Sequence, residues 1–202
     1  MDKKINNNGY DYADLGLPSG TLWATCNVGA NKPSDYGLYF QWGDIVGYTK
    51  DQVGKDKLFN WHSYKWSING SSLNFSKYTT TGAILESEDD AAHANMGGSW
   101  HMPTPEQIQE LIDNTNSAWT TSDDGVKGVM FTSLNGKSIF IPAAGNVQNG
   151  SVLGSGVNGG VWSSMLLTDD TRGVQTLGFD SGIVNLGKLG RFTGLSVRGV
   201  LG

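Results

Sequence analysis

Cysteine is almost missing from this 202-residue sequence: Cys26 stands alone. A single thiol excludes an intramolecular disulfide and a Cys-only zinc site, so the fold must be held by its core. Histidine is nearly as scarce, with only His62, His93 and His101. No apolar run approaches the ~18 residues of a membrane-spanning helix. The opening Met1–Asn8 has no apolar stretch behind its lysines, so neither a signal peptide nor membrane insertion is expected. Charged residues make up 16% of the chain and the formal net charge is −5. Without a basic face, the chain is a poor general binder of nucleic acid or anionic membranes. No phosphate-loop GxxxxGK[ST] occurs. The Gly-rich Gly154–Gly160 precedes a strand candidate instead of opening a helix, so it offers phosphate no helix N-terminus.

Glycine and tryptophan are abundant, at 29 and seven residues. The glycines have no period of three, which excludes collagen. The aromatics argue against disorder and for a loop-rich globule pinned by large rings. The length suits one domain, over 14–202, behind a polar leader at 1–13. Strand candidates are Thr21–Thr25, Tyr36–Trp42, Val129–Phe131, Ser138–Pro142, Val161–Ser164, Leu177–Phe179 and Leu195–Val200. Residues 43–82 are polar and aromatic without a period, which reads as excursion loops. A short helix is expected within 86–98, with acids at its start and Gly97 where it stops. A clearer helix has Thr104 as N-cap, Pro105 at its first position and Gln107 closing a capping box. Ile108, Leu111 and Ile112 form its apolar stripe. The order of elements predicts an α+β fold of short mixed or antiparallel strands, two short helices and long excursion loops.

The candidate chemistry is thin. His93 with Asp89 and Asp90 could be drawn as a metal site, but two carboxylates and one imidazole do not close one. Cys26 has no nucleophile signature and reads as a small packed residue. The carboxylates of 86–90 are neighbours on one short helix and cannot flank a sugar from both sides. Trp23, Trp42, Trp100 and Trp162 sit in core contexts, and Trp61 and Trp66 are the more plausible exposed pair. No catalytic residue, metal or cofactor is expected, and the chain reads as a non-enzyme.

The last third differs. All three arginines (Arg172, Arg191, Arg198) lie there, and from Val161 onward the net charge is +1 against −6 for the rest. Asn185–Thr193 sets large apolar and basic residues among glycines. It is neither helical nor alternating, and it reads as a loop with interface-type anchors or, equally, as a strand pair with inward leucines.

Blocks along the chain carry a resemblance. Leu15–Ala30, Tyr36–Gly43, Asp89–Thr104, Ile141–Gly145, Val161–Ser164 and Gly194–Arg198 resemble, in order, the large Bacteroidetes and Fibrobacter paralogous domain family, which implies a C-type-lectin-like fold. The ending, a Trp-Ser-Ser strand followed by Arg-aromatic-x-Gly-x-Ser-Val-Arg, is similar to variable proteins of diversity-generating retroelements. That resemblance implies a variable region at about 161–198. Its ligand-binding positions would be Met165, Leu166, Arg172, Val174, Thr176, Gly187, Lys188, Leu189, Gly190, Arg191, Phe192 and Thr193. Trp162, Ser163, Ser164, Gly194, Ser196 and Val197 would be scaffold. The implied partner is a protein or glycan receptor on a cell surface. The implied setting is a phage tail or bacterial surface, as a homo-oligomer or part of a larger assembly. The alternative is a cell-surface glycan- or matrix-binding domain of the same fold, acting through 43–82 without diversification. The late cysteine pair of formylglycine-generating enzymes is missing, as are the Glu-Pro-Asn and Gln-Pro-Asp tripeptides of calcium-dependent lectins.

Overall fold

In the computed structural model, which describes residues 6–202, the signals read for the second helix are realised residue by residue, whereas the helix expected within 86–98 splits into a 3-10 turn at Ser87–Asp89 and a shorter helix whose first turn holds no acid. Thr104 caps α2 (Pro105–Asn114): its side chain accepts from Gln107 N–H while the Gln107 side chain accepts from Thr104 N–H. Asp90 caps α1 (Ala91–Met96) by accepting from the Ala92 and His93 amides. Gly97 ends α1 at φ +71°, a backbone region favourable to glycine.

The strands are short and mostly antiparallel. In chain order they are β1 (Asn6–Asn7), β2 (Tyr10–Ala13), β3 (Leu22–Ala24), β4 (Tyr39–Phe40), β5 (Thr115–Thr121), β6 (Lys127–Ser133), β7 (Ser138–Pro142), β8 (Asn146–Gln148), β9 (Ser151–Leu153), β10 (Asn158–Leu166), β11 (Gly173–Asp180), β12 (Val184–Gly190), β13 (Leu195–Ser196) and β14 (Val200–Leu201). The central sheet has the order β12-β11-β10-β13-β4, with β10 and β13 parallel. A second sheet is ordered β1-β2-β3-β14, a third β5-β6-β7, and β8 pairs with β9. The protein is thus an α+β fold of short, mostly antiparallel strands with two helices. Among the described residues no helix is long and apolar enough to cross a membrane.

The domain boundary also changes: residues 10–13 are not a leader, since β2 pairs with β3 and they belong to the domain, while 1–5 lie outside the described residues. Of the two readings of the late Gly-rich run, the strand is the one seen: Val184–Gly190 pairs with β11 over its whole length despite its broken side-chain pattern. Residues 43–82 are excursion loops with isolated bridges (Val53↔Lys57, Ser67↔Phe75) and a 3-10 turn at Trp61–Ser63.

The central sheet separates two cores. Val161 and Leu177 face Ile108 and Leu111 of α2, with Val129, Phe131 and Ile141 behind. Trp162, Leu166 and Val174 face the opposite core, with Trp42, Trp100, Met96 and the alanines of α1. Trp23, Trp42, Trp100 and Trp162 are fully buried, as their contexts predicted. Two of these indoles cross-tie the sheet: Trp42 Nε1 donates to Ser163 O (3.0 Å) and Trp162 Nε1 to Phe40 O (2.8 Å). They link β10 to the β4 segment across the intervening β13.

Two arginines are sealed inside, each 0% exposed. Arg198 donates to Asn27 Oδ1, Ala24 O and Phe140 O at 2.8–3.0 Å. Burial pushes its guanidinium down to about 10, which still leaves it charged at neutral pH. Arg191, the residue after β12, donates Nε to Tyr64 Oη (2.7 Å), Nη1 to Tyr78 O and Thr171 O (both 3.0 Å) and Nη2 to Lys77 O (3.1 Å). Its guanidinium carbon lies 4.2 Å from the Phe75 ring centre. Arg191 therefore fastens the 61–78 part of the excursion to the end of β12.

Replacing Arg191 by Met removes these donors and strands the buried acceptors. The expected loss is about 4 kcal/mol of unfolding free energy, or about 10 °C in Tm. Arg191→Lys recovers less than half, because an ammonium cannot reproduce the fork. Urea unfolding checks this, and a loss under about 1 kcal/mol contradicts it.

Candidate functional site

The residues singled out in the last third divide in two. Leu166, Val174, Thr176, Arg191 and Thr193 are buried and are corrected from ligand contacts to interior residues. Leu166 and Val174 sit opposite one another on β10 and β11 and both enter the tryptophan core. Thr176 lies between Trp162 and Gly187 in the sheet. Arg191 is committed to the hydrogen bonds above, and Thr193 follows it into the interior. The other seven, Met165, Arg172, Gly187, Lys188, Leu189, Gly190 and Phe192, retain solvent exposure, with Arg172 and Lys188 the most open.

Two grooves flank Lys188 and Leu189. The first, of about 420 Å³, runs between Trp61 and Ser72 of the excursion on one side and Leu167, Asp169, Asp170, Arg172 and Gly173 on the other. The second, of about 340 Å³, lies over the sheet face near the β11–β12 turn. Gly160, Gly178 and Gly187 keep that floor low, and Asn146, Asn158, Asn185 and Asp180 stand around it. Lys188 and Leu189 line both.

The walls are built rigidly. Asn60 and Ser63 form a reciprocal capping box around the 3-10 turn that carries Trp61. The Trp61 ring rests on Phe192 (4.6 Å between centroids) and on Phe75 (5.7 Å). Phe59 and Tyr78 bracket this stretch at φ +54° and +55°, strained for such large residues and held by burial. Opposite, Arg172 forks onto Asp170 with Nε and Nη2 contacts of 2.9–3.1 Å. The Arg172 hydrogen bonds hold the Asp170 carboxyl below its usual range, with a smaller pull from Lys188. Of the pair expected to be exposed, Trp61 is half-buried at the groove wall and Trp66 packs against the tryptophan core. The asparagines of the second groove carried no signal, because they converge only through sheet pairing.

The chemistry weighed elsewhere does not assemble. Cys26 Sγ sits 3.7 Å from Thr25 Oγ1. His93 Nδ1 contacts Trp100 O (3.3 Å), and His101 contacts Met102 O and Gly202 O. The Asp89 carboxylate turns to Lys65, Lys77 and Tyr78, away from the helix N-terminus that Asp90 caps. Glu86, Glu88 and Asp89 converge, and Lys77 Nζ binds all three at 2.6–3.1 Å. The two adjacent aspartates are pushed in opposite directions. Burial raises the Asp89 carboxyl, but the hydrogen bonds from Lys77, Lys65 and Tyr78 outweigh it and leave it below 3.8. At Asp90 burial wins over the amide donors and leaves the carboxyl above 3.8.

No protein-family model, curated protein or solved structure matches this chain.

A pH dependence follows from Asp89. Its folded value lies below its unfolded one, so its contribution to stability is complete above about 3.8 and is lost as pH falls below that. Asp89→Asn should therefore be less stable than wild type at pH 7, with the gap shrinking below pH ~4. Asp90 is common to both chains and cancels. Urea midpoints from pH 7 to 2 test it, and a gap that stays constant or widens on acidification contradicts it.

Proposed function

We propose that this protein is a non-enzymatic binding protein with a C-type-lectin-like fold, and that it recognises its target with the grooved face around Lys188 and Leu189. One observation carries the reading: those two residues line both grooves, while the residues beside them, Arg191, Val174 and Leu166, are locked into the interior. A variable surface on a fixed interior is what repeated rewriting of specificity requires, since exposed substitutions usually stay within about ±0.5 kcal/mol.

The order of sequence blocks supports placing the chain among retroelement-diversified variable proteins, displayed on a phage tail or bacterial surface. Diversification would then fall on Met165, Arg172, Gly187, Lys188, Leu189, Gly190 and Phe192. The excursion is not a rival site in this reading. Trp61 and Ser72 give one wall of the first groove, so residues 43–82 and the last third contribute to one surface.

The test reverses charge on the face. The labelled chain is used to stain a panel of bacterial strains, beside the double variant Lys188→Glu, Arg172→Glu. Staining of responsive strains should fall at least about tenfold. Tm should stay within about 2 °C of wild type, as both side chains are exposed. Unchanged staining, or staining abolished only by changes within 43–58, contradicts the proposal.

A further inference from the structure

Among the described residues, β12 closes one side of the central sheet, with no strand beyond it. The hairpin geometry determines which backbone groups that edge presents. Asp180 N–H donates to Ile183 O, and Arg191 N–H to Arg172 O, both at 2.9 Å. The β11–β12 register runs between these pairs without a shift. Hydrogen-bonded and non-hydrogen-bonded pairs alternate in an antiparallel ladder. The odd-numbered residues of β12 therefore bond to β11, and the even-numbered Val184, Leu186 and Lys188 aim their N–H and C=O groups outward. Among the described residues no hydrogen bond from elsewhere reaches these groups. The edge is bounded by the Asp180–Ile183 turn at one end and by Thr193 N–H donating to Gly190 O at the other.

We propose that the protein grips an extended polypeptide segment by adding it as a strand to the β12 edge, with an acidic side chain of that segment meeting Lys188. This rests on the reading of the β12 region as the recognition face and names the ligand class.

Three observations support it. The outward donors and acceptors recur every second residue, about 6.8 Å apart, which is the repeat of an extended chain. Lys188 is exposed, and although it pulls on Asp170 across the first groove, no carboxylate lies within ion-pair distance of it among the described residues, so its ammonium can pair with an incoming acid. The face beside the edge is open. Gly187, in β12 itself, carries no side chain, which leaves room beside it for a side chain of an added strand.

A second copy of this chain fits less well. An antiparallel copy that engages all three outward residues has one register, centred on Leu186, and it sets Lys188 against Val184. A lysine so placed discourages self-pairing. Strand addition also reconciles binding with side-chain variation. Main-chain hydrogen bonds survive any change at Gly187, Lys188 or Leu189 that keeps the strand, while the side chains select the partner.

The probes are peptides selected on the full chain from a random linear-peptide display library. Selected peptides should be acidic and alternating, and should protect the Val184, Leu186 and Lys188 amides from hydrogen exchange. N-methylation at alternate peptide residues should weaken binding about tenfold or more, and at the intervening residues should not. Leu186→Ala keeps the outward N–H, whereas Leu186→Pro removes it at a position that bonds nothing in β11. The Pro variant should bind at least about tenfold more weakly than the Ala variant at matched Tm. If the Pro variant does not fold, the methylated peptides on wild type decide. Equal affinities, indifference to N-methylation, or failure to select any peptide overturns strand addition. Neutral oligosaccharides that occupy the first groove and leave those amides unprotected also overturn it, while leaving the recognition face intact.

Discussion

A positive charge buried in a protein interior is tolerable only when each of its donor nitrogens finds an acceptor. Arg191 meets that condition with Tyr64 Oη and the carbonyls of Lys77, Tyr78 and Thr171, under the rings of Phe75, Tyr64 and Trp42. The acceptors come from two distant stretches, the excursion and the β10–β11 turn. The guanidinium can be satisfied only if both are held in place beside the end of β12. That requirement sets the distance between Trp61 and Arg172 and so the width of the first groove. Arg198 ties other parts in the same way, joining the end of β3, Asn27 and the middle of β7 to the segment between β13 and β14.

From this follows a separation between what holds the fold and what meets a partner. On β10 and β11, Trp162, Leu166, Val174 and Leu177 point into the two cores and leave the strands no freedom to shift. On β12 only Val184, Leu186 and Leu189 lean on those cores, and none is fully buried. The strand is consequently a shelf: fixed in position by β11 and Arg191, yet lightly invested in packing. Glycines at 178 and 187 lower the floor beside it and leave the second groove open.

The elements most legible in the sequence were those coded locally. The Thr104–Gln107 capping box, Pro105 and the Ile108, Leu111 stripe specify α2 within one turn of chain, and the structure has each contact. The four core tryptophans were legible because apolar strand neighbours surround them. β12 was legible only as one of two readings, since Gly187 and Gly190 break its alternation and only pairing with β11 decides between them. The arginine error has the same origin. An Arg between Gly and Phe has the composition of an interface anchor, and its real acceptors lie up to 127 positions away in sequence. Leu166 lies an even number of residues from Trp162, and the two-residue register shift between them leaves the face unchanged, so both Leu166 and its partner Val174 follow Trp162 into the core. Five of the twelve candidate positions are therefore buried, and the other seven stay open at the surface.

The central claim is that substitution is tolerated at the solvent-open positions of this region and forbidden at the buried ones. Two display libraries measure it directly: one randomised at Arg172, Gly187, Lys188, Leu189 and Phe192, the other at Leu166, Val174, Thr176, Arg191 and Thr193. Each is sorted for resistance to protease, which reports the folded fraction. The account predicts that most members of the first library survive and that survivors of the second retain residues close to the present ones. Equal survival of the two libraries, or greater survival of the second, would contradict it.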